Sequence, residues 1–210
     1  MCFVNCDSPR PTTAHILSGC PVALLQQRYT YRHDSVLYVL VTRLIDIFVD
    51  LPSVKIYADL QNFRSCESPP ATLPTSIMVT PYRPDIVIHN TDTSTVALLE
   101  LTCPLDSDYH LGAARSRKQS KLEYQQILAE LDRLDFPNSY ETLEVSVLGH
   151  YQRFAVENIR FLLRFIHSAL PLPKAVVQRM LDLAAKKSIS TSQRIFMARS
   201  SSEWFSPDLN

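Results

Sequence analysis

The sequence predicts an α/β fold, a small mixed sheet flanked by helices, on three observations. Apolar residues recur at three- and four-residue intervals over 35–51 and 110–135, the pattern of helices with one buried face. Short runs rich in β-branched and apolar residues, at 54–58, 77–79, 86–88, 96–99 and 144–148, read as strands. The order is helix, strands, helix, strand, which layers helices on a sheet. With 210 residues, 46% of them hydrophobic, the chain can bury one core with a small appendage.

Each element follows from its residues. Residues 1–33 carry the close cysteines and precede the core. The helix over 35–51 places Val36, Leu37, Leu40, Val41, Leu44, Ile45 and Phe48 at helical spacing, with Asp34 as a cap and His33 as a loop or cap residue. A strand at 54–58 leads to a Ser- and Pro-rich loop at 65–74 and a further strand at 77–79. Ile86-Val87-Ile88 and Val96-Ala97-Leu98-Leu99 flank the polar stretch Asn90-Thr91-Asp92-Thr93-Ser94, so they read as a hairpin that Pro104 stops. The helix over 110–135 ends before Pro137, and a strand at 144–148 closes at Gly149. Helices over 156–169 and 174–187 are separated by Pro171 and Pro173, and a Ser-rich, mobile end follows from Ser188. The chain thus divides into 1–33, a core at 34–150, helices at 151–187 and a tail at 188–210, with no internal repeat.

The hairpin carries the chemistry. Its outer ends are Asp85, in Arg83-Pro84-Asp85, and Glu100, in Glu100-Leu101-Thr102. Folding back brings the two carboxylates together at one rim of the sheet, where like charges repel. A hard divalent cation such as Mg²⁺ removes the conflict by taking oxygens from both, an arrangement suited to phosphodiester cleavage. Asp34 is a further carboxylate for that site, direct or supporting, and Asp106 competes with it.

Cys2, Cys6, His15 and Cys20 are spaced C-x3-C-x8-H-x4-C, the donor set of a closed tetrahedral zinc site, with Pro9 and Pro11 stiffening the loop between. Cys66 has no evident partner, and Cys103 reads as packed. The odd total of five cysteines argues against a disulfide framework and for a reducing, intracellular setting. No apolar run reaches membrane-spanning length, and the N-terminus lacks the basic start and apolar core of a signal peptide. The formal net charge is zero, but cations cluster at Arg115, Arg117, Lys118 and Lys121, and again at Lys174, Arg179, Lys186, Lys187, Arg194 and Arg199.

Taken in order, these motifs resemble the PD-(D/E)XK, or restriction-endonuclease-like, superfamily. More narrowly they resemble the endonuclease domain at the C-terminus of site-specific non-LTR retrotransposons, where a CCHC zinc knuckle precedes the nuclease. Cys2, Cys6, His15 and Cys20 match the knuckle, with Thr13-Ala14-His15-Ile16-Leu17 running through it. Arg28-Tyr29-Thr30-Tyr31-Arg32-His33-Asp34 resembles the segment leading into the first helix. Arg83-Pro84-Asp85 and Glu100-Leu101-Thr102-Cys103-Pro104 match the core, and Arg115, Arg117-Lys118, Lys121 and Tyr124 the basic helix after it. The likeness spans roughly residues 2–150.

The resemblance implies a restriction-endonuclease-like core and a metal-dependent DNA endonuclease of retrotransposon origin, acting in the nucleus. Asp85 and Glu100 would hold Mg²⁺ or Mn²⁺, and the knuckle a structural Zn²⁺. The superfamily's lysine usually stands two residues after the second acid, where this chain has Thr102. In the retrotransposon relatives that role moves to the following helix, which makes Lys118 or Lys121 the substitute. Those two lysines, with Arg115 and Arg117, would line a phosphate track, while Tyr124 packs. Two other readings are a nucleic-acid-binding module without catalysis and an interaction protein using Val156, Ile159, Leu162, Leu163 and Ile166. A single such site makes one nick per visit.

Overall fold

A computed structural model describes residues 2–8, 12–65 and 71–209; the expectations for Pro9, Pro11 and Cys66 fall outside these. Four strands make one mixed sheet in the order β1-β2-β3-β4: β1 (Val54–Ala58), β2 (Ile86–Asn90), β3 (Thr95–Thr102) and β4 (Asn138–Glu144). The first three are antiparallel neighbours, and β4 lies parallel to β3. A parallel neighbour needs a crossover, which α3 (Asp108–Gln119) and α4 (Leu122–Arg133) supply. Helices α1 (Pro21–Leu25) and α2 (Arg28–Ile47) precede the sheet, and α5 (Ala155–Ile166) and α6 (Lys174–Met197) follow it.

The strands bury both faces, so alternation along them sorts the layers. Ile86, Ile88, Ala97, Leu99 and Leu101 point to one side, against α2, α5 and α6. Val87, Val96 and Leu98 point to the other, against Tyr124, Ile127 and Leu131 of α4. The N-terminal segment adds a third, smaller cluster in which Phe3, Ile16, Leu17 and Ala23 meet Val147 and Ile195.

Several expected boundaries move, each for a physical reason. The first helix begins at Arg28 rather than 35, with Gln27 in the left-handed region (φ 56°) as its N-cap, so Asp34 is not a cap and His33 lies within the helix. Its first turns bury Arg28, Tyr31 and Arg32, polar side chains that apolar periodicity does not register. The single helix expected over 110–135 breaks: Ser120 closes α3 and an extended Lys121 opens α4. The stretch 115–121 has no apolar residue to hold it on the sheet, and the break lets α4 lay its own apolar face down.

No strand forms at 77–79. The amides of Ile77 and Met78 both donate to the Pro74 carbonyl, and the turn packs these two side chains beneath α4. The last strand is the polar edge segment 138–144, not 144–148; Val145 and Val147 prolong its line by donating to the carbonyls of Thr102 and Pro104. The helix expected to stop at Lys187 runs to Met197, because Ser188, Thr191 and Ser192 form its buried face and their hydroxyls find partners there. No helix among the described residues is long and apolar enough to cross a membrane.

Candidate metal and phosphate site

The antiparallel register of β2 and β3, Ile86 opposite Leu99, places Asp85 opposite Glu100 one step further out. Both then face α3 and α4, since Val87 and Leu98 do. The Asp85 amide donates to Glu100 Oε1 at 2.9 Å, and the Leu101 amide donates to Asp85 Oδ2 at 2.7 Å. Each strand's backbone thus fixes the other's carboxylate. Both side chains are nearly inaccessible, Asp85 8% and Glu100 1% exposed as residues.

Two buried anions this close require cations. Lys118, on α3, donates from Nζ to Glu100 Oε2 at 2.6 Å and stands 3.7 Å from Asp85 Oδ2. His33, on α2, brings Nε2 to 3.4 Å of Asp85 Oδ2, and its Nδ1 lies 3.1 Å from Asp34 Oδ1. Carboxylates accept only, so an imidazole between two of them donates from both nitrogens and carries charge. Burial works against that charge, but Asp34 and Asp85 outweigh it and lift His33 well above its ordinary pKa. Burial likewise opposes ionisation of Asp85, and His33 with Lys118 overcomes it, so its carboxyl sits low. Glu100 goes the other way: burial and the Asp85 charge push it up to about 7 against the pull of Lys118 and Tyr124. Lys118 is raised because the two acids outweigh its own burial. The surroundings thus split the pair, holding the Asp85 carboxyl low and the Glu100 carboxyl high.

The remaining expected residues sort clearly. Lys121 is not on the same helix as Lys118; it pairs with Glu123 at 3.5 Å at the start of α4. Arg115 is engaged by Glu144 at 2.9 Å and donates to the Thr142 carbonyl, with Phe154 stacked on its guanidinium, so it is no open phosphate ligand. Arg117 is exposed on α3. Tyr124 packs, as expected, on Tyr140, and it pulls the Glu100 carboxyl downward. Asp34 supports the site through His33, whereas Asp106 turns to Ser146 and His150. Thr102 lies on the Glu100 face with its hydroxyl buried and unpartnered among the described residues. Cys103 packs against the core. His33 is the residue that helical periodicity missed; its place in the run Arg32-His33-Asp34 was the available signal.

Asp85 Oδ1 has no partner among the described residues, and with Glu100 it offers the hard oxygen donors that Mg²⁺ or Mn²⁺ takes.

The ligand atoms of Cys2, Cys6, His15 and Cys20 all lie within 4.8 Å of one another. Cys2 and Cys20 sulfurs are 3.6 Å apart, and Cys6 Sγ is 3.3 Å from His15 Nε2. A tetrahedral zinc with bonds of about 2.3 Å to sulfur and 2.0 Å to nitrogen has edges of roughly 3.5–3.8 Å, so this cluster is compatible with a zinc knuckle. Burial pushes the Cys2 thiol up to about 12, while the Ser8 amide and His15 draw Cys6 down to about 7. Tyr29 of α2 braces the knuckle, accepting from the Cys20 amide and donating to the Ile16 carbonyl.

No protein-family model matches this sequence, and no curated protein matches it.

Proposed function

We propose that this chain is a metal-dependent DNA endonuclease of the PD-(D/E)XK type, related by descent to the nuclease domains of non-LTR retrotransposons. The observation that carries the reading is Lys118 Nζ, 2.6 Å from Glu100 and 3.7 Å from Asp85, delivered from α3 to the face where Thr102 stands in the lysine position of the resemblance. The order of elements supports it: a helix, an antiparallel three-stranded unit, a helical crossover and a parallel fourth strand.

In this mechanism Asp85 and Glu100 hold Mg²⁺ or Mn²⁺. The bound ion supplies Lewis-acid polarisation of the scissile phosphate and a lowered pKa for water. Lys118 places positive charge against the phosphate as negative charge builds on it, and orients the attacking water. His33, braced by Asp34, holds Asp85 ionised and in one orientation. The knuckle holds Zn²⁺ as a structural ion.

A second reading, a nucleic-acid-binding module without catalysis, is favoured by the burial of Glu100 and its tight pairing with Lys118. The two are separated by incubating zinc-loaded protein with supercoiled and branched DNA, with and without Mg²⁺ or Mn²⁺, beside Asp85→Ala and Glu100→Ala. Metal-dependent nicking by the wild type that both variants lose supports the nuclease. Folded, zinc-loaded protein that retains DNA without nicking it supports the binding module.

A further inference from the structure

Of the cations expected to track phosphate on α3 and α4, Arg115 is engaged by Glu144, Lys118 by the carboxylate pair and Lys121 by Glu123 at the surface, while Arg117 stays exposed. Lys174 apart, which pairs with Glu157 at 3.1 Å, the second basic cluster of the sequence takes part in no ion pair among the described residues. A groove runs between α2 and α6, its three stretches joined through shared walls at Arg43 with Leu183 and at Lys187 with Ser190. Five cations line it: Arg179, Arg43, Lys186, Lys187 and Arg194. Against them, among the described residues that line it, stand Asp46, which pairs with Arg43 at 2.8 Å, and Asp208 at one end. Among the described residues, Arg179, Lys186, Lys187 and Arg194 take part in no ion pair; Lys187 donates to the Leu209 carbonyl. A chain of zero net charge has therefore concentrated uncompensated positive charge in one groove.

We propose that the α2–α6 groove binds the sugar–phosphate backbone of duplex DNA. From Arg179 to Arg194 the helix rises about 22 Å, at 1.5 Å per residue. Each strand of a duplex carries one phosphate per about 3.4 Å of helix axis, so a track laid along that axis covers roughly six base-pair steps. A line of cations along a cleft suits a linear polyanion better than a flat lipid surface does. Thr42, on the groove, lies about two and a half turns along α2 from His33. The groove thus opens on the side of α2 away from Asp85, and the DNA it holds is not the scissile phosphate. The inference rests on the chain's acting on DNA, but not on its cutting it.

The test is duplex-DNA binding by the zinc-loaded full chain, without Mg²⁺, over a salt titration. Lys186→Ala with Arg194→Ala removes two groove cations at exposed helical positions where alanine is well tolerated. Affinity is expected to fall roughly 50-fold at about 0.1 M salt, and the log–log salt slope to flatten by about 1.8. Lys55→Ala with Arg133→Ala makes the same charge change elsewhere and is expected to leave both near wild type. Equal loss in both pairs, or none in the groove pair, overturns the proposal. So does displacement of the DNA by phosphatidylserine vesicles that the groove pair no longer binds. Nicking is scored separately: a wild type that never nicks but loses DNA through the groove pair leaves this inference standing and removes the nuclease.

Discussion

Lys118 and His33 together make a buried pair of carboxylates tolerable, and each has a distinct signature. Lys118→Met is expected to lower nicking on the order of 10²-fold, the usual cost of removing one charge-stabilising donor. Lys121→Met should stay within a few-fold, since its ammonium faces Glu123. Equal losses, read from supercoiled-plasmid kinetics, would return the two lysines to the equivalence their spacing suggests. The same residues set a pH dependence in zinc-loaded, Mg²⁺-free protein. Glu100, raised from 4.5 to about 7, binds its proton more tightly folded than unfolded, so stability falls as pH climbs through that interval. His33, raised above 6.5, contributes stability that is complete below that value and is lost as pH rises through its folded pKa. Asp85, lowered from 3.8, contributes above that value and stops contributing as pH falls through its folded pKa. Urea melts should therefore show greatest stability near about pH 5 and a decline towards pH 8, and Glu100→Gln should remove much of the decline.

At the level of elements, two joints carry the architecture. Arg115 ties α3 to β4 through Glu144, whose side chain is 1% exposed. Arg115→Ala leaves that carboxylate uncompensated and is expected to cost about 3 kcal/mol in denaturant unfolding, with partial recovery on adding Glu144→Gln. Gly149 turns the chain from β4 towards α5 with φ +82°; a Cβ there would meet the Ile189 side chain at 2.8 Å and the Ala185 carbonyl at 2.9 Å. Gly149→Ala is expected to cost about 1–3 kcal/mol, read in the same melts. How much of this the sequence reveals depends on what each element buries. The hairpin and β1 are legible because their apolar runs and turn residues say one thing. The start of α2, the polar edge strand β4 and the Ser-rich end of α6 are not, because they bury arginines, hydroxyls and a carboxylate whose partners lie far along the chain. Asp85 and Glu100 were visible as hairpin ends. The choice of Lys118 over Lys121 depends on a helix break that no proline or glycine marks.

Across the whole molecule, the knuckle and the C-terminal end close on each other. Arg28, fully buried, donates to Gln26 and to the carbonyls of Ala198 and Ser201, and lies between the rings of Phe3 and Trp204 at 4.5 and 4.7 Å. No carboxylate answers its charge among the described residues, so the aromatic faces and carbonyl dipoles must. One zinc per chain is expected by elemental analysis, and Cys6→Ser should lower it and destabilise the fold, since the knuckle's Ile16 and Leu17 pack with Val147 and Ile195 of the main body. A full complement of zinc in the serine variant would mean the cluster is not the site.

The stack has an optical consequence. Trp204 is the chain's single tryptophan, edge-on to Tyr31 and one guanidinium away from Phe3, the neighbour of Cys2. Its fluorescence is therefore a native gauge of the far end of the chain. Chelating zinc should shift the emission to longer wavelength as Phe3 leaves Arg28 and solvent reaches the indole, and restoring zinc should reverse it. Phe3→Ala should mimic the shift with zinc still bound, whereas emission indifferent to both would show that the two termini close independently.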